Sequence, residues 1–212
     1  MLLLSDPRVA LVPVLDDSEP LIPFPAVIGN ATGLTGETVH VRRGLGARLV
    51  TAALSLPEGV SFKIAEGHRS VEAQLGIIAR YSDEVRRAHP GLDRRELARL
   101  VSRFVSPISV APHVAGAAVD VTLVDDYGAE LDLGTEIDAT PEASGGACYF
   151  DAPGISARAR ANRELLARAL GGAGLVNYPT EWWHWSYGDR YWALVTAAPH
   201  ALYGAVEEGV AA

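Results

Sequence analysis

The sequence has 212 residues, 49% of them hydrophobic, and its 26 acidic and 18 basic side chains give a net charge of -8. A chain of this length can bury a substantial core, and we expect one domain over residues 1–212. The acidic balance would repel a phosphate backbone, so we expect no nucleic-acid partner, and the single cysteine, Cys148, excludes an internal disulfide and a cysteine-rich metal site.

The N-terminal run, residues 1–14, is fairly apolar, but Asp6, Pro7 and Arg8 interrupt it. No basic segment precedes the apolar run as a signal peptide requires, so we predict that it forms part of the fold. No stretch approaches the roughly 20 apolar residues needed to span a bilayer, and we expect no membrane partner. The lone cysteine fits a reducing compartment, which predicts a cytoplasmic protein.

The first half of the chain predicts loops, helices and one strand. Residues 16–36 are rich in Pro, Gly and Asn, which favours loops. Apolar residues at helical intervals predict a helix over 38–56, and alternation predicts a strand over 60–64 that ends at Gly67. Ser70 caps a predicted helix that reaches toward His89, and Asp93 begins another that runs through Phe104.

The second half adds short strands around one helix. The apolar, β-branched run 118–124 predicts a strand, and a turn then leads to a possible partner at 130–133, which suggests an antiparallel hairpin. Residues 156–170 predict a helix, and short strands follow at 175–178 and 183–187. The mixture predicts an α+β fold, a single domain with a small, mainly antiparallel sheet flanked by helices.

A first motif, H-V-A-G-A-A-V-D, runs from His113 to Asp120. Asp120 lies in an apolar strand, where a buried carboxylate is costly unless a cation, a hydrogen-bond network or a metal compensates its charge. Gly116 lets the chain turn and bring His113 beside it. From the residues alone, metal binding and a satisfied structural His and Asp both remain open.

A second motif, E-W-W-H, covers Glu181 to His184. Residues three apart share a helix face but point to opposite faces of a flat strand, and the neighbouring Pro and Trp residues favour a strand. Both groups can therefore meet one metal only if Glu181 lies at a bend before the strand begins.

The two motifs together offer two imidazoles and one carboxylate, from His113, Asp120 and His184. This set leaves the fourth tetrahedral position open, which is typical of catalytic zinc, and we predict one Zn2+ per chain. Zinc lowers the pKa of water toward ~7. Glu181 would close the site as a fourth ligand, so we assign it as the base that takes the proton when water attacks a carbonyl carbon.

Arg69 follows the predicted strand and is our candidate for stabilising the oxyanion formed in that attack. The alternative is a surface residue or a structural ion pair, which is the commoner state of an exposed arginine.

The sequence resembles the D-alanyl-D-alanine dipeptidases of the vancomycin-resistance type, within the wider group of zinc D,D-peptidases. E-G-H-R at 66–69, the H-x-x-G-x-A-x-D run, L-D-L-G-T-E-I-D at 131–138, N-R at 162–163 and E-W-W-H occur in that family's order. The similarity covers roughly residues 37–190, and the joint match is far more specific than any one motif.

The resemblance implies zinc on His113, Asp120 and His184, with Glu181 as general acid/base and Arg69 stabilising the transition state. It also implies that Asp138 helps hold the free amino group of a small D,D-dipeptide substrate in a narrow-mouthed pocket. Members of this group serve cell-wall biogenesis or antibiotic resistance, and both roles would use the same residues.

The departures from the family pattern are concentrated around the expected substrate. Family members usually have S-x-H-S-R-G where this chain has A-P-H-V-A-G, so Ala111, Val114 and Ala115 lack polar groups. His68 replaces the usual Tyr and Ser70 the usual Pro. We therefore expect an altered dipeptide preference. The rival interpretations are a related dipeptidase or carboxypeptidase and a non-catalytic zinc-binding domain.

Overall fold

Six α-helices, one 3-10 helix at Ile108–Val110 and two antiparallel sheets make up the part of the chain that the computed structural model describes, residues 1–29 and 37–206. The helices are α1 Pro7–Leu11, α2 Arg43–Ala53, α3 Val71–Ala88, α4 Arg94–Val101, α5 Ala157–Gly172 and α6 Arg190–Thr196. The strands are β1 Leu21–Pro25, β2 Val27–Gly29, β3 Thr38–Arg42, β4 Val60–Glu66, β5 Ala118–Asp125, β6 Val176–Asn177 and β7 His184–Ser186.

Strand β5 lies at the centre of the larger sheet, whose order is β2-β4-β5-β7-β6. It pairs antiparallel with β4 on one side and with β7 on the other. Residues 118–124 are all buried, which accounts for the continuous apolar run in the sequence, since a central strand covered on both faces need not alternate. Strands β1 and β3 form the separate two-stranded sheet.

The main core lies between one face of the larger sheet and helices α2 and α5. Val119, Val121 and Leu123 of β5 pack in it with Leu45 of α2 and Leu166 of α5. Asp120 points to the opposite face, as the alternation of a strand requires. This arrangement leaves one face of β5 for packing and the other for polar side chains.

The α+β class and several elements agree with the sequence prediction. Strand β4 and helices α3 and α5 form where expected, and Ser70 Oγ accepts a hydrogen bond from the backbone of Ala73 as the N-cap of α3. The N-terminal run is packed into the fold, where Leu4 and Val9 are buried. In the described part of the chain, no helix combines the length and apolar character that crossing a membrane requires.

Four predicted elements need correction. The helix expected over 38–56 is wrong in its first turn: residues 38–42 pair antiparallel with β1, so the helix begins only at Arg43. The hairpin expected at 130–133 forms only in short form: Val124 and Glu130 make one antiparallel bridge, with the N–H of Leu131 donating to the carbonyl of Leu123, and β7 takes the same edge of β5 at residues 118–120. The helix expected to reach Phe104 ends at Val101.

The loop expected over 16–36 contains strands β1 and β2, and its residues 30–36 lie outside the described part of the chain. Pro23 and Pro25 made this segment resemble a loop in the sequence. The strand β1 tolerates both prolines because it is an edge strand. Helices α1 and α6 were not predicted from the sequence.

Candidate active site

Strand register brings together residues that are far apart in sequence. Asp120 on β5 lies directly opposite His184 on β7, and on its other side it lies opposite Glu66 at the end of β4. Directly opposed residues of an antiparallel pair point to the same face of the sheet. The carboxylate of Asp120 and the imidazole of His184 therefore meet on the polar face, with Asp120 Oδ1 3.1 Å from His184 Nδ1.

His113 reaches the same point through a tight turn before β5. The N–H of Gly116 donates to the carbonyl of His113 at 3.0 Å, and Gly116 has a φ of +65°, which favours glycine. The Nδ1 of His113 lies 2.7 Å from the carbonyl oxygen of Gly67, so it is the protonated nitrogen that donates there. Its Nε2 is thereby left with a free lone pair that faces Asp120 and His184.

These three side chains fit a tetrahedral zinc site. His113 Nε2 lies 3.0 Å from His184 Nδ1 and 3.4 Å from Asp120 Oδ1. Zinc–nitrogen bonds of about 2.0–2.1 Å in tetrahedral geometry place neighbouring ligand atoms about 3.3 Å apart. Among the described residues, this is the one group of three or more His, Cys, Asp or Glu side chains suited to hold a metal ion.

The electrostatics of the three groups also favour a cation. Burial alone would raise the pKa of Asp120, but His113 and His184 outweigh it and hold that pKa well below its ordinary value. Burial lowers the pKa of His184 and keeps its imidazole neutral, as a metal ligand must be. Burial would lower the pKa of His113, but the negative charge of Asp120 outweighs burial and raises that pKa above its ordinary value.

Glu181 lies in the bend before β7, which is the position that the E-W-W-H spacing required. The side-chain amide of Asn177 donates to the carbonyl of Glu181 at 2.9 Å, and β7 begins only at His184. Glu181 Oε2 lies 3.8 Å from His184 Nδ1, so the carboxylate lies beside the three candidate ligands. Burial first, and then Asp120 and Asp138, raise the pKa of Glu181 well above its ordinary value.

Arg69 is held in a fixed orientation at the end of β4. Its Nε donates to Glu66 Oε1 at 2.7 Å, its Nη2 to Glu66 Oε2, and its Nη1 to Gln74 Oε1 at 2.8 Å. Gln74 is itself buried and donates to the carbonyl of Ser106. Three of the five N–H groups of the guanidinium are thus engaged, and two remain for a ligand.

Glu66 and Gln74 are orienting residues that the sequence interpretation did not identify. Glu66 was visible as the first residue of E-G-H-R, but its pairing with Arg69 requires the chain to bend after β4. Gln74 lies on α3, five residues beyond Arg69, and no spacing rule predicted the contact.

A cavity of about 370 Å³ joins all the candidate residues. His113, Asp120, Asp138, Glu181, His184 and Arg69 line it. Asp138 adopts a φ of +63°, a conformation that Asp tolerates better than most residues. Burial against the cavity, with Asp120 and Glu66 nearby, raises the pKa of Asp138.

Three of the side chains that depart from the family pattern lie outside the cavity, whereas a fourth, Ser70, lines a shallow groove beside it. Ala111, Val114 and Ala115 are buried and do not line the cavity. Ala115 packs against Tyr203, and the carbonyl of Val114 accepts a hydrogen bond from the backbone of Val206. The loss of polar groups at these positions is therefore matched by contacts with the C-terminal segment.

The protein has an α+β fold with a candidate metal-dependent active site. In this site two histidines and an aspartate lie beside a buried glutamate and an oriented arginine. A family model described as D-ala-D-ala dipeptidase, of the peptidase M15 group, matches residues 39–201. The chain belongs to this family.

Two curated D-alanyl-D-alanine dipeptidases are similar to the chain. The protein from a Synechocystis species is 38% identical over 115 residues, 48% of this chain and 47% of that protein. The one from Escherichia coli is 37% identical over 83 residues, 39% of this chain and 41% of that protein. The chain thus matches about half the length of these relatives or less.

Two solved structures are also similar, each at 16% sequence identity. One is VanYB in complex with D-Alanine-D-Alanine, with a TM-score of 0.48, covering 86% of this chain and 87% of that one. The other is a mutant of the vancomycin resistance D,D-pentapeptidase VanY in complex with Zn(II), with a TM-score of 0.45, covering 93% and 96%.

Proposed function

We propose that the protein is a zinc-dependent peptidase that hydrolyses the peptide bond of a small dipeptide, with D-Ala-D-Ala as the first substrate to test. One observation carries the proposal: three candidate zinc ligands, Glu181 and Arg69 line a single cavity. Membership of the D-ala-D-ala dipeptidase family supports the choice of substrate.

His113 Nε2, His184 Nδ1 and Asp120 Oδ1 would hold the metal. A bound zinc ion supplies a Lewis acid and lowers the pKa of water. Glu181 accepts a proton from the water that attacks the peptide carbonyl and delivers it to the departing amine. A buried carboxyl with a raised pKa is suited to both steps, because it can hold the proton between them.

Arg69 and Asp138 orient the substrate by binding two different groups of it, the reacting carbonyl oxygen and the free amino group. The two free N–H groups of Arg69 donate to the oxygen that gains negative charge during the attack, and the clamp by Glu66 and Gln74 keeps them aimed. Asp138 at the cavity accepts hydrogen bonds from the free amino group of the dipeptide.

We also propose that residues 1–212 act as a single catalytic domain and that the protein works on its dipeptide in the cytoplasm. The main core runs through both halves of the described chain, which supports one domain. The single cysteine, which is buried, supports a reducing compartment.

The test is dipeptide hydrolysis by the zinc-loaded protein over a panel that pairs D and L alanine at both positions. We expect cleavage of D-Ala-D-Ala, loss of cleavage after chelation, and loss in the Glu181→Gln variant with its zinc retained. Loss of zinc from that variant would make Glu181 a ligand, and absence of cleavage in the native protein would favour a non-catalytic zinc domain.

A further inference from the structure

A free dipeptide carries two opposite charges, and Asp138 pairs with only one of them. Asp138 is placed for the amino group, but the carboxylate also needs a partner. Four carboxyl groups line the cavity, from Glu66, Asp120, Asp138 and Glu181, and none of them offers a positive charge to an incoming anion. An unpaired carboxylate taken into such a site would carry a large desolvation cost, and in the proposed function the zinc ion serves the peptide bond that is cleaved, so the carboxylate needs a cation other than the metal.

Two arginines occur among the described residues that line the cavity, Arg69 and Arg80. Arg69 is already engaged with Glu66 in a bidentate pair, and its charge offsets that carboxylate. In the proposed function its remaining donors serve the reacting oxygen. Arg69 therefore does not supply the additional positive charge that the carboxylate needs.

Arg80 is free to do so. It lies on α3, its side chain is exposed, and no hydrogen bond or ion pair joins its guanidinium to another side chain in the described part of the chain. It lines both the cavity and a shallow groove beside it, together with Ile77 one turn earlier. The apolar walls formed by Ile77 and Phe104 reduce the exposure of an ion pair to water and so strengthen it.

We propose that Arg80 binds the carboxylate at the C-terminal end of the substrate and thereby selects peptides that end at the second residue. The proposal rests on the proposed function, in which the substrate is a small peptide. The guanidinium fork suits bidentate recognition of a carboxylate. Asp138 and Arg80 together would then bind the two ends of a dipeptide and so select substrates of that length.

The test compares D-Ala-D-Ala with its C-terminal amide, which has no negative charge. The native protein should prefer the free acid. Arg80→Gln should raise KM for the free acid about tenfold, as expected for loss of a hydrogen bond to a charged group, with kcat little changed. KM for the amide should stay the same, and Arg80→Lys should restore part of the preference because it keeps the charge.

Arg87→Gln is the matched control, since Arg87 is an exposed arginine on the same helix that lines neither cavity. It makes the same change in net charge and should leave both KM values unaltered. An equal KM increase in Arg87→Gln, or an Arg80→Gln variant that still prefers the acid, would overturn the assignment of Arg80.

A binding measurement separates this proposal from the proposed function. Calorimetry of D-Ala-D-Ala and of its amide with zinc-loaded Glu181→Gln, with and without Arg80→Gln, reports recognition without hydrolysis. A Kd for the acid that rises about tenfold in the Arg80→Gln variant supports carboxylate binding by Arg80, even if the native protein cleaves neither ligand. If the native protein hydrolyses D-Ala-D-Ala but Arg80→Gln does not change the binding of the acid, the role of Arg80 is rejected while the proposed function stands.

Discussion

Asp120 and His184, which lie 64 residues apart in sequence, are directly paired across strands β5 and β7, with Oδ1 and Nδ1 3.1 Å apart. Both side chains are buried on the polar face of the sheet. The pairing fixes two of the three candidate ligands with regular β structure, which is more rigid than a loop. His113 alone depends on a turn for its position.

We predict that Asp120→Asn reduces zinc affinity by at least about 100-fold, because it removes the only negative charge from the ligand set and even outer-shell changes cost 10–100-fold. Zinc content after dialysis against a buffered metal concentration measures this effect. Asp125→Asn, at the other end of the same strand, is the control and should retain the metal. Retention of full affinity in Asp120→Asn would remove Asp120 from the ligand set.

Asp138→Asn should raise KM for D-Ala-D-Ala about 10- to 100-fold, because a hydrogen bond to a charged group contributes about 1.5–3 kcal/mol. Asn tolerates the positive φ of this position, so the backbone should be preserved. N-acetyl-D-Ala-D-Ala, which lacks the charged amino group, provides the comparison. A similar loss on both substrates would point to a structural role, and native cleavage of the acetylated peptide alone would indicate a carboxypeptidase.

The candidate ligands could be predicted from the sequence because each motif carries residue types with few alternative uses in an apolar setting. Their spacing also set a geometric condition, a bend at Glu181, which the structure meets. The motif order added the joint specificity. Which strands lie side by side could not be predicted, so the contact between Asp120 and Glu66 on β4 was not foreseen.

The errors in the fold prediction have a common physical origin. The segment Thr38–Arg42 forms a strand by pairing with β1, whereas the prediction extended the helical pattern of Leu45 and Leu49 back to Val39. The expected antiparallel hairpin at 130–133 is limited to the bridge between Val124 and Glu130, because nearer the start of β5 the same edge is paired with β7. Strand formation depends on the partner, whereas helices such as α3 are specified by their own caps and periodicity.

Gly116→Ala should destabilise the protein and displace His113. A Cβ at this position would lie 2.4 Å from Leu21 Cδ2, and the φ of +65° adds strain. Gly76→Ala is the matched control, since no atom lies within 4 Å of its added Cβ and it sits inside α3. It should stabilise by about 0.5–1 kcal/mol. Urea unfolding and zinc content of both variants test the pair, and a harmless Gly116→Ala would contradict the packing argument.

Arg163→Lys should cost about 3 kcal/mol or more of stability. Arg163 is fully buried and donates to four backbone carbonyls of the segment that carries Asp138, those of Leu133, Ala147, Tyr149 and Phe150. A lysine has one nitrogen and cannot reach them all, and each buried carbonyl left without a donor costs about 1–3 kcal/mol. Arg158→Lys, exposed on the same helix, should be nearly neutral. Equal urea midpoints for the two variants would show that water replaces the lost donors.

Asp189 gives the fold a pH dependence of its own. Its Oδ1 caps α6 by accepting from the N–H of Trp192 at 2.6 Å, while its Oδ2 is buried and has no hydrogen-bond partner of normal geometry in the described part of the chain. The hydroxyl of Ser186 favours the ionised form, but burial outweighs it. Burial raises the pKa of Asp189 from 3.8 to about 7. A raised carboxyl pKa means that the folded state favours the protonated form. Protonated Asp189 therefore contributes to the free energy of unfolding in full below about pH 4, and this contribution is lost as the pH rises through about 7.

Asp189→Asn should therefore become more stable relative to the native protein as the pH rises, by roughly 2–3 kcal/mol between pH 5 and pH 8. Asn keeps the cap and stays neutral at every pH. The comparison uses urea unfolding of both proteins under chelation, so that protonation of the zinc ligands enters both alike. Asp93→Asn, the same exchange at the exposed cap of α4, controls for loss of a capping charge. A stability difference that stays constant across this range would mean that Asp189 is already ionised at pH 5, and that its buried oxygen has a donor.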